Sequence, residues 1–153
     1  MAPELAVVTV DDSTDVSKIC NVDGAPYISY EDSFKDENGV IKVTYNTVWP
    51  SISFYPEQSM SAYADYDYLV IRMYVVGGVQ QLKYLTLGNG SVQSQPVGYE
   101  SELLYDTWVD YKFDISGFLQ NWTDGTLNKT VARLWSNTDA GGGTFYISDI
   151  WVE

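Results

Sequence analysis

Few residues in this 153-residue chain could carry out covalent chemistry. The chain has no histidine and one cysteine, Cys20, which excludes catalytic triads that need histidine, metal sites built on histidine or several cysteines, and internal disulfides. Two carboxylates suffice for glycoside hydrolysis, and Glu100 and Glu102 are about 7 Å apart if they lie on one strand. A hydrolase needs its two acids on opposite sides of a cleft, however, and a chain of this length leaves little room to form one.

Aromatic residues give the strongest chemical signal. The chain has 13 Tyr, 5 Trp and 5 Phe, most of which we expect to pack in a core or across strands. Trp135 differs, because alternation puts Leu134 on the opposite face of its strand and Arg133 on the same face. An indole ring can stack on the C–H face of a pyranose while a guanidinium binds its hydroxyls or a carboxylate. The alternative is that Trp135 covers the core beneath a loop.

Short β-type segments must position these residues, because no helical period lasts three turns. A turn is predicted at Asp36–Gly39, and one helical turn is expected around Phe118–Trp122. The pattern predicts one domain, residues 1–153, with an all-β fold: a two-sheet antiparallel β-sandwich of jelly-roll topology. We expect about ten strands, at Leu5–Val10, Tyr27–Glu31, Val40–Thr47, Ser51–Tyr55, Tyr68–Val76, Leu82–Leu87, Val97–Leu104, Trp108–Ile115, Thr130–Trp135 and Thr144–Val152.

A jelly roll assigns consecutive strands alternately to two sheets, so one sheet should hold the predicted strands that begin at Ser51, Leu82, Val97 and Thr130. Exposed aromatic residues beside an arginine reduce solubility unless a ligand covers them. This sheet is therefore the candidate binding surface, and its outward face would carry Tyr55, Tyr84, Tyr99, Arg133 and Trp135.

A second outward set is predicted on the opposite sheet. It comprises Arg72, Tyr74, Asp110 and Lys112, and cross-strand pairing of Arg or Lys with Asp explains it without a ligand. Trp108 opens the strand that carries Asp110, and we expect it to be a packing residue.

Four segments resemble the β-jelly-roll carbohydrate-binding modules attached to bacterial polysaccharide-degrading enzymes. They are residues 8–12, 66–75, 106–115 and 145–150, and their order and spacing extend over nearly the whole chain. The resemblance implies a non-catalytic, secreted or cell-surface domain that belongs to a larger protein and binds a polysaccharide or oligosaccharide. It also implies a structural Ca²⁺, held by Asp149 in the last strand with Asp11 or Asp12 after the first. The alternative is that these acids are solvated strand ends.

The charge balance narrows the choice of partner. The formal net charge of −13 argues against binding to nucleic acid or an anionic membrane, which requires a basic surface. The same charge repels polyanions, so a neutral plant glycan is the favoured ligand. Two other functions stay open: a structural or adhesion β-sandwich that binds no glycan, and a small glycan-active enzyme.

Overall fold

Eleven strands and one 3₁₀ turn make up most of the part of the chain that the structure describes. The structure is a computed structural model, and it describes residues 5–11, 20–23, 27–45, 51–54, 60–63, 65–77, 82–89, 92–93, 104–114, 132–138 and 143–153. The 3₁₀ turn is Met60–Tyr63. The strands are β1 Leu5–Thr9, β2 Cys20–Asp23, β3 Tyr27–Phe34, β4 Glu37–Tyr45, β5 Ser51–Phe54, β6 Tyr68–Val75, β7 Leu82–Asn89, β8 Val92–Gln93, β9 Trp108–Asp114, β10 Ala132–Thr138 and β11 Gly143–Val152.

The strands form two antiparallel sheets. The six-stranded sheet has the order β3-β4-β11-β6-β9, with β1 also paired to β11, and the five-stranded sheet has the order β2-β5-β10-β7-β8. The predicted all-β sandwich is confirmed, and so is the membership of β5, β7 and β10 in one sheet. The strand predicted at Val97–Leu104 and the helical turn at Phe118–Trp122 fall outside the described residues, except that Leu104 is described and is not part of a strand.

The described core lies on the inner face of the six-stranded sheet, and alternation along β6 and β9 supplies part of it. Leu69, Ile71, Met73 and Val75 of β6 are fully buried, as the alternation predicts. Their cross-strand partners on β9 and β11, such as Phe113 for Leu69, are buried on the same face, except Val109, which is half-buried. Each such side chain contributes roughly 1.5–3 kcal/mol of transfer free energy.

A bulge in β11 shifts its register between Ile147 and Ile150. The extra residue keeps both isoleucines in the core, with Ser148 buried and Asp149 exposed between them. On the other side of β11, β4 pairs with residues 143–147 and β1 pairs with residues 149–152.

The predicted position of the β3–β4 turn is wrong. The turn residues are Lys35 and Asp36, and β4 begins at Glu37. Gly39 lies within β4 with φ 73°, where an added Cβ would approach the Val10 carbonyl oxygen to 2.8 Å. The Asn38-Gly39 pair, a strong local turn signal, is thus used for a close approach to the segment that follows β1.

Candidate functional site

Four aromatic rings lie together on the outer face of the six-stranded sheet. Tyr146, Tyr74 and Trp108 are paired directly across β11, β6 and β9. Phe34, at the end of β3, stacks on Tyr146 with ring centroids 3.7 Å apart and an interplanar angle of 8°. It also meets Tyr74 edge to face, with centroids 4.9 Å apart. We call these four residues the outer aromatic cluster.

Polar contacts fix the tip of the β3–β4 hairpin to this cluster. The Trp108 Nε1–H donates to the Lys35 carbonyl oxygen over 2.8 Å. Arg72 Nε donates to Glu37 Oε1 at 2.6 Å, and Arg72 Nη1 donates to Asp110 Oδ1 at 2.9 Å. Burial alone would lower the pKa of Arg72, but these bonds outweigh it and the pKa is raised, so the guanidinium stays charged.

The arginine–aspartate pair confirms the cross-strand pairing predicted for this sheet. Lys112 pairs instead with Glu153 at the end of the described chain. The ion pair raises the pKa of Lys112 and lowers the pKa of Glu153. Arg72 and Lys112 thus have carboxylate partners within the chain.

The outer aromatic cluster offers little ring surface to a ligand. Tyr74 and Tyr146 are each only 8% exposed. Arg72 lies 5.6 Å from the centroid of the Trp108 ring, which also meets Phe34 and Tyr74 edge to face. Because the rings are engaged with one another and with Arg72, the cluster acts in packing, as predicted for Trp108.

The five-stranded sheet brings together three of the residues proposed from sequence. In the β10–β7 register Trp135 is opposite Thr86, and Asn137 is opposite Tyr84. Directly paired residues share a face, and residues two apart on a strand also share one. Arg133, Trp135 and Tyr84 therefore occupy one face of this sheet. Their part in binding stays a prediction, and Tyr55 and Tyr99 lie outside the described residues, as do Glu100 and Glu102.

The register divides the described positions of this sheet into two chemically distinct faces. One face, which we call the polar face, contains Asn21, Asp23, Ser51, Ser53, Tyr84, Thr86, Gly88, Gln93, Arg133, Trp135 and Asn137. The opposite face contains mainly apolar residues: Cys20, Val22, Ile52, Phe54, Leu82, Leu85, Leu87, Asn89, Val92, Ala132, Leu134, Ser136 and Thr138. A sandwich buries the apolar faces of its sheets, so the polar face is the one expected to meet solvent.

Sequence reasoning missed the polar-face residues of β2, Asn21 and Asp23. Residues 15–23 lack a clear pattern, but the last four, Cys-Asn-Val-Asp, alternate in register with Ser-Ile-Ser-Phe of β5. That four-residue alternation was the available signal, and it is too short to indicate a strand without its partner.

Two of the acids proposed for calcium are described: Asp149, within β11, and Asp11, two residues after the end of β1. Asp149 is opposite Thr9 and borders an open depression of ≈ 390 Å³ with Trp151. Asp11 borders a second depression of ≈ 260 Å³, together with Asp32 and Asn38.

Carboxylate and amide oxygens of this kind suit Ca²⁺. Asp12 is outside the described residues, and within the described ranges no three Asp, Glu or Cys side chains are grouped as a metal site. No described helix is long and apolar enough to cross a membrane.

Comparisons with known proteins show the fold. No protein-family model matches the chain, and a search of curated proteins finds no similar sequence. Among solved structures, a family 30 carbohydrate-binding module of a cellulosomal cellulase from Clostridium thermocellum superposes with a TM-score of 0.59 at 10% identity, covering 99% of this chain and 98% of that one.

Two further modules superpose to a similar extent. The CBM22-1 xylan-binding domain of Paenibacillus barcinonensis Xyn10C gives a TM-score of 0.57 at 12% identity, over 99% of this chain and 92% of that domain. The family 11 module from Clostridium thermocellum, in complex with a β-1,3-1,4-mixed-linked tetrasaccharide, gives 0.56 at 9% identity, over 97% and 94% of the two chains. The chain therefore has the β-sandwich fold of these carbohydrate-binding modules.

Proposed function

We propose that this chain is a non-catalytic carbohydrate-binding module that attaches a larger secreted protein to a polysaccharide. The observation that carries the proposal is the register of β10 and β7, which brings Arg133, Trp135 and Tyr84 to the polar face of the five-stranded sheet. The shared fold with modules whose names describe carbohydrate binding supports it.

The chemistry of the polar face suits a sugar. Trp135 and Tyr84 supply aromatic rings for the C–H face of a pyranose, and Arg133 supplies several N–H donors for its hydroxyls. Tyr55 and Tyr99 are proposed as further stacking residues on the same sheet. The other sheet lacks an equivalent surface in its described part, because the outer aromatic cluster is already packed.

A neutral glycan is the proposed ligand class. The formal net charge of −13 repels a polyanion, and Asp23 adds a carboxylate to the same face as Arg133. Binding should then depend little on ionic strength, since hydrogen bonds to neutral hydroxyls are weakly screened. Binding restricted to anionic glycans, weakening steeply as salt is added, would contradict the neutral assignment.

A structural calcium ion is proposed as a second feature. Asp149 with Asp11 or Asp12 would link β11 to the segment that follows β1, and Asp32 borders the same depression as Asp11. Because only the folded chain assembles these oxygens, calcium would act on stability and not on the chemistry of binding.

Affinity electrophoresis on a panel of soluble polysaccharides tests the function. The panel contains hydroxyethyl cellulose, mixed-linkage β-glucan, xylan, galactomannan, polygalacturonate and alginate, and release of reducing sugar is measured in parallel. We expect retardation by at least one neutral glycan without release. Release of sugar would indicate an enzyme, and the absence of both would indicate a structural or adhesion domain.

A further inference from the structure

We propose that the open depression between β1 and β11 binds an arginine side chain of a protein partner, with the guanidinium held between the Trp151 ring and the Asp149 carboxylate. The depression belongs to the six-stranded sheet, whereas the proposed glycan site is on the five-stranded sheet. The inference therefore goes beyond the proposed function and does not depend on it.

Two side chains of different chemistry border this depression from the same strand. Asp149 is exposed and Trp151 is half-buried, and both alternate with the buried Ile150, so they share the outer face of β11. The volume of ≈ 390 Å³ is within the range of about 300–1,000 Å³ that is usual for ligand sites. The described lining contains no basic residue and comprises Ala6, Val8, Thr9, Asp149, Ile150 and Trp151.

Strand β9 of the same sheet shows how such a pair of residues binds an arginine. Trp108 and Asp110 are also two residues apart on one face, and Arg72 contacts both of them. Arg72 Nη1 donates to Asp110 Oδ1 at 2.9 Å, and Arg72 Cζ lies 5.6 Å from the centroid of the Trp108 ring. Alternate residues of a strand are about 7 Å apart, so Asp149 and Trp151 have the spacing that one guanidinium spans in β9.

The strands beside β11 place no basic residue directly opposite this second pair. Trp151 is paired with Ala6 of β1 and Val70 of β6, and Asp149 is paired with Thr9 of β1. Alanine has the smallest side chain that carries a Cβ, so the position next to the indole on β1 leaves space for an incoming group. In β9, by contrast, the position opposite Asp110 is Arg72 itself.

The Trp151 ring is suited to a cation. No ring–ring contact of the described residues involves Trp151, in contrast to Trp108. The Trp151 N–H is buried, so a group that enters from solvent meets the carbon atoms of the ring and not the N–H donor. The face of an indole attracts cations more strongly than any other aromatic side chain, and a planar guanidinium can also stack on it.

Charge favours a cationic occupant over a neutral one. The formal net charge of the chain is −13, which attracts a basic partner at long range. An ionised carboxylate has about four acceptor positions, so Asp149 can bind a guanidinium in addition to other partners, a calcium ion included. A neutral sugar could use the same ring and carboxylate but would gain nothing from the charge, and it is the competing occupant in the test.

Heteronuclear NMR of the tryptophan indole N–H signals tests the site. The probe is the peptide acetyl-Gly-Arg-Gly-amide, added in EDTA to remove any metal from Asp149, and its neutral counterpart carries citrulline in place of arginine. The variant Trp151→Phe identifies the Trp151 signal. We expect the arginine peptide to shift that signal and the citrulline peptide to shift it far less, because only the guanidinium is charged.

A matched pair of variants locates the effect. Asp149→Asn removes a carboxylate charge from the depression, and Asp65→Asn removes the same charge from an exposed position outside it. We expect Asp149→Asn to reduce the shift by about threefold, which is the size of effect that a surface ion pair gives, and Asp65→Asn to leave it nearly unchanged. Both variants should melt like the wild type in EDTA.

The inference is overturned if the arginine peptide leaves the Trp151 signal in place, if the citrulline peptide shifts it equally, or if Asp149→Asn responds like the wild type. A shift with methyl glucoside and none with the arginine peptide would make the depression a sugar site instead. Affinity electrophoresis of Asp149→Asn reports on the proposed function separately. We expect retardation equal to that of the wild type, so either proposal can fail while the other stands.

Discussion

Two tryptophans illustrate how the environment of a residue determines its role. Trp108 lies next to Arg72 in space, and Trp135 lies two residues from Arg133 in sequence. Each tryptophan has an apolar neighbour in its strand that lies on the opposite face of the sheet. Trp108 is half-buried, its N–H is bonded to Lys35, and it contacts the ring of Phe34. Trp135 is paired across the sheet with Ser51 of β5 and Thr86 of β7. The first is a packing residue, and the second is proposed to bind sugar.

Substitution of Trp108 should therefore act on stability. Trp108→Ala removes edge-to-face contacts with two rings, the cation–π contact with Arg72 and one hydrogen bond. We expect a loss of about 2–4 kcal/mol in the free energy of unfolding. At roughly 2–4 °C per kcal/mol for a chain of this size, the melting temperature should fall by at least about 4 °C. Glycan binding should be retained below the melting temperature. If a folded Trp108→Ala variant lost binding, the binding surface would lie on the six-stranded sheet and our assignment to the five-stranded sheet would be wrong.

At the scale of elements, the β3–β4 hairpin departs most from what the sequence predicts. Lys35 and Asp36 have φ of 47° and 69°, so both turn residues adopt the left-handed conformation that glycine and asparagine prefer. Contacts of the tip with Trp108 and Arg72 hold this turn in place. The hairpin thus carries backbone strain at its tip. Gly39, the residue best suited to such a turn, lies farther along β4, where it allows the close approach to Val10.

Two substitutions with opposite expected effects on the free energy of unfolding test this account of the hairpin. Asp36→Gly relieves the left-handed strain, and we expect it to stabilise the chain by about 0.5–1 kcal/mol after the entropy cost of glycine. Gly39→Ala places a Cβ near the Val10 carbonyl at a φ that alanine disfavours, and it should destabilise by at least about 1 kcal/mol. Thermal melts compare the two variants. A stabilising Gly39→Ala would show that Gly39 does not approach the Val10 carbonyl oxygen this closely.

Long alternating elements were predictable from sequence, and short or bent ones were not. The inner faces of β6 and β9 follow from period 2 because each strand has one face packed on a core. β2 and β8 have four and two residues, too few for a pattern. Phe34 should share a face with Tyr30 by alternation, yet it packs in the outer aromatic cluster while Tyr30 packs on the core. Between Tyr30 and Phe34, the β3–β4 ladder lacks the residue pair that would include Gly39. This interruption depends on tertiary contacts, so the sequence of β3 alone does not predict it.

The same reasoning explains which parts of the candidate site could be predicted. Arg133, Trp135 and Tyr84 were assignable because each lies on a strand with leucines on its opposite face. Asn21 and Asp23 were not, because their strand is identified only by its pairing with β5. A binding surface that crosses strands distant in sequence is visible only once the register is known.

At the scale of the whole molecule, we propose different roles for the two sheets. The six-stranded sheet holds the described core and the packed outer aromatic cluster. The five-stranded sheet holds the proposed binding surface. The end of β1 and its partner strand β11, where the structural calcium is proposed, belong to the six-stranded sheet. Metal and glycan binding should therefore be separable.

Chelation tests the calcium proposal. If Ca²⁺ saturates its site a thousandfold above Kd, it contributes about 4 kcal/mol, so EDTA should lower the melting temperature by several degrees. Asp149→Ala should fold and lose this response, while Ser29→Ala, an exposed position on β3, serves as the control. An unchanged melting curve in EDTA, together with no metal by elemental analysis, would exclude the site.

The central claim is that the polar face binds a polysaccharide through Trp135, and one comparison tests it most directly. Wild type and Trp135→Ala are run in the same affinity gel, against the panel polysaccharide that binds the wild type most strongly. Stacking of a base on an aromatic ring contributes about 1–3 kcal/mol, and a similar loss here corresponds to about tenfold or more in affinity. We predict that retardation is nearly abolished while the melting temperature stays within about 2 °C of wild type. Retardation equal to wild type, or a fall in stability of the roughly 3–5 kcal/mol expected for a core tryptophan, would contradict the claim.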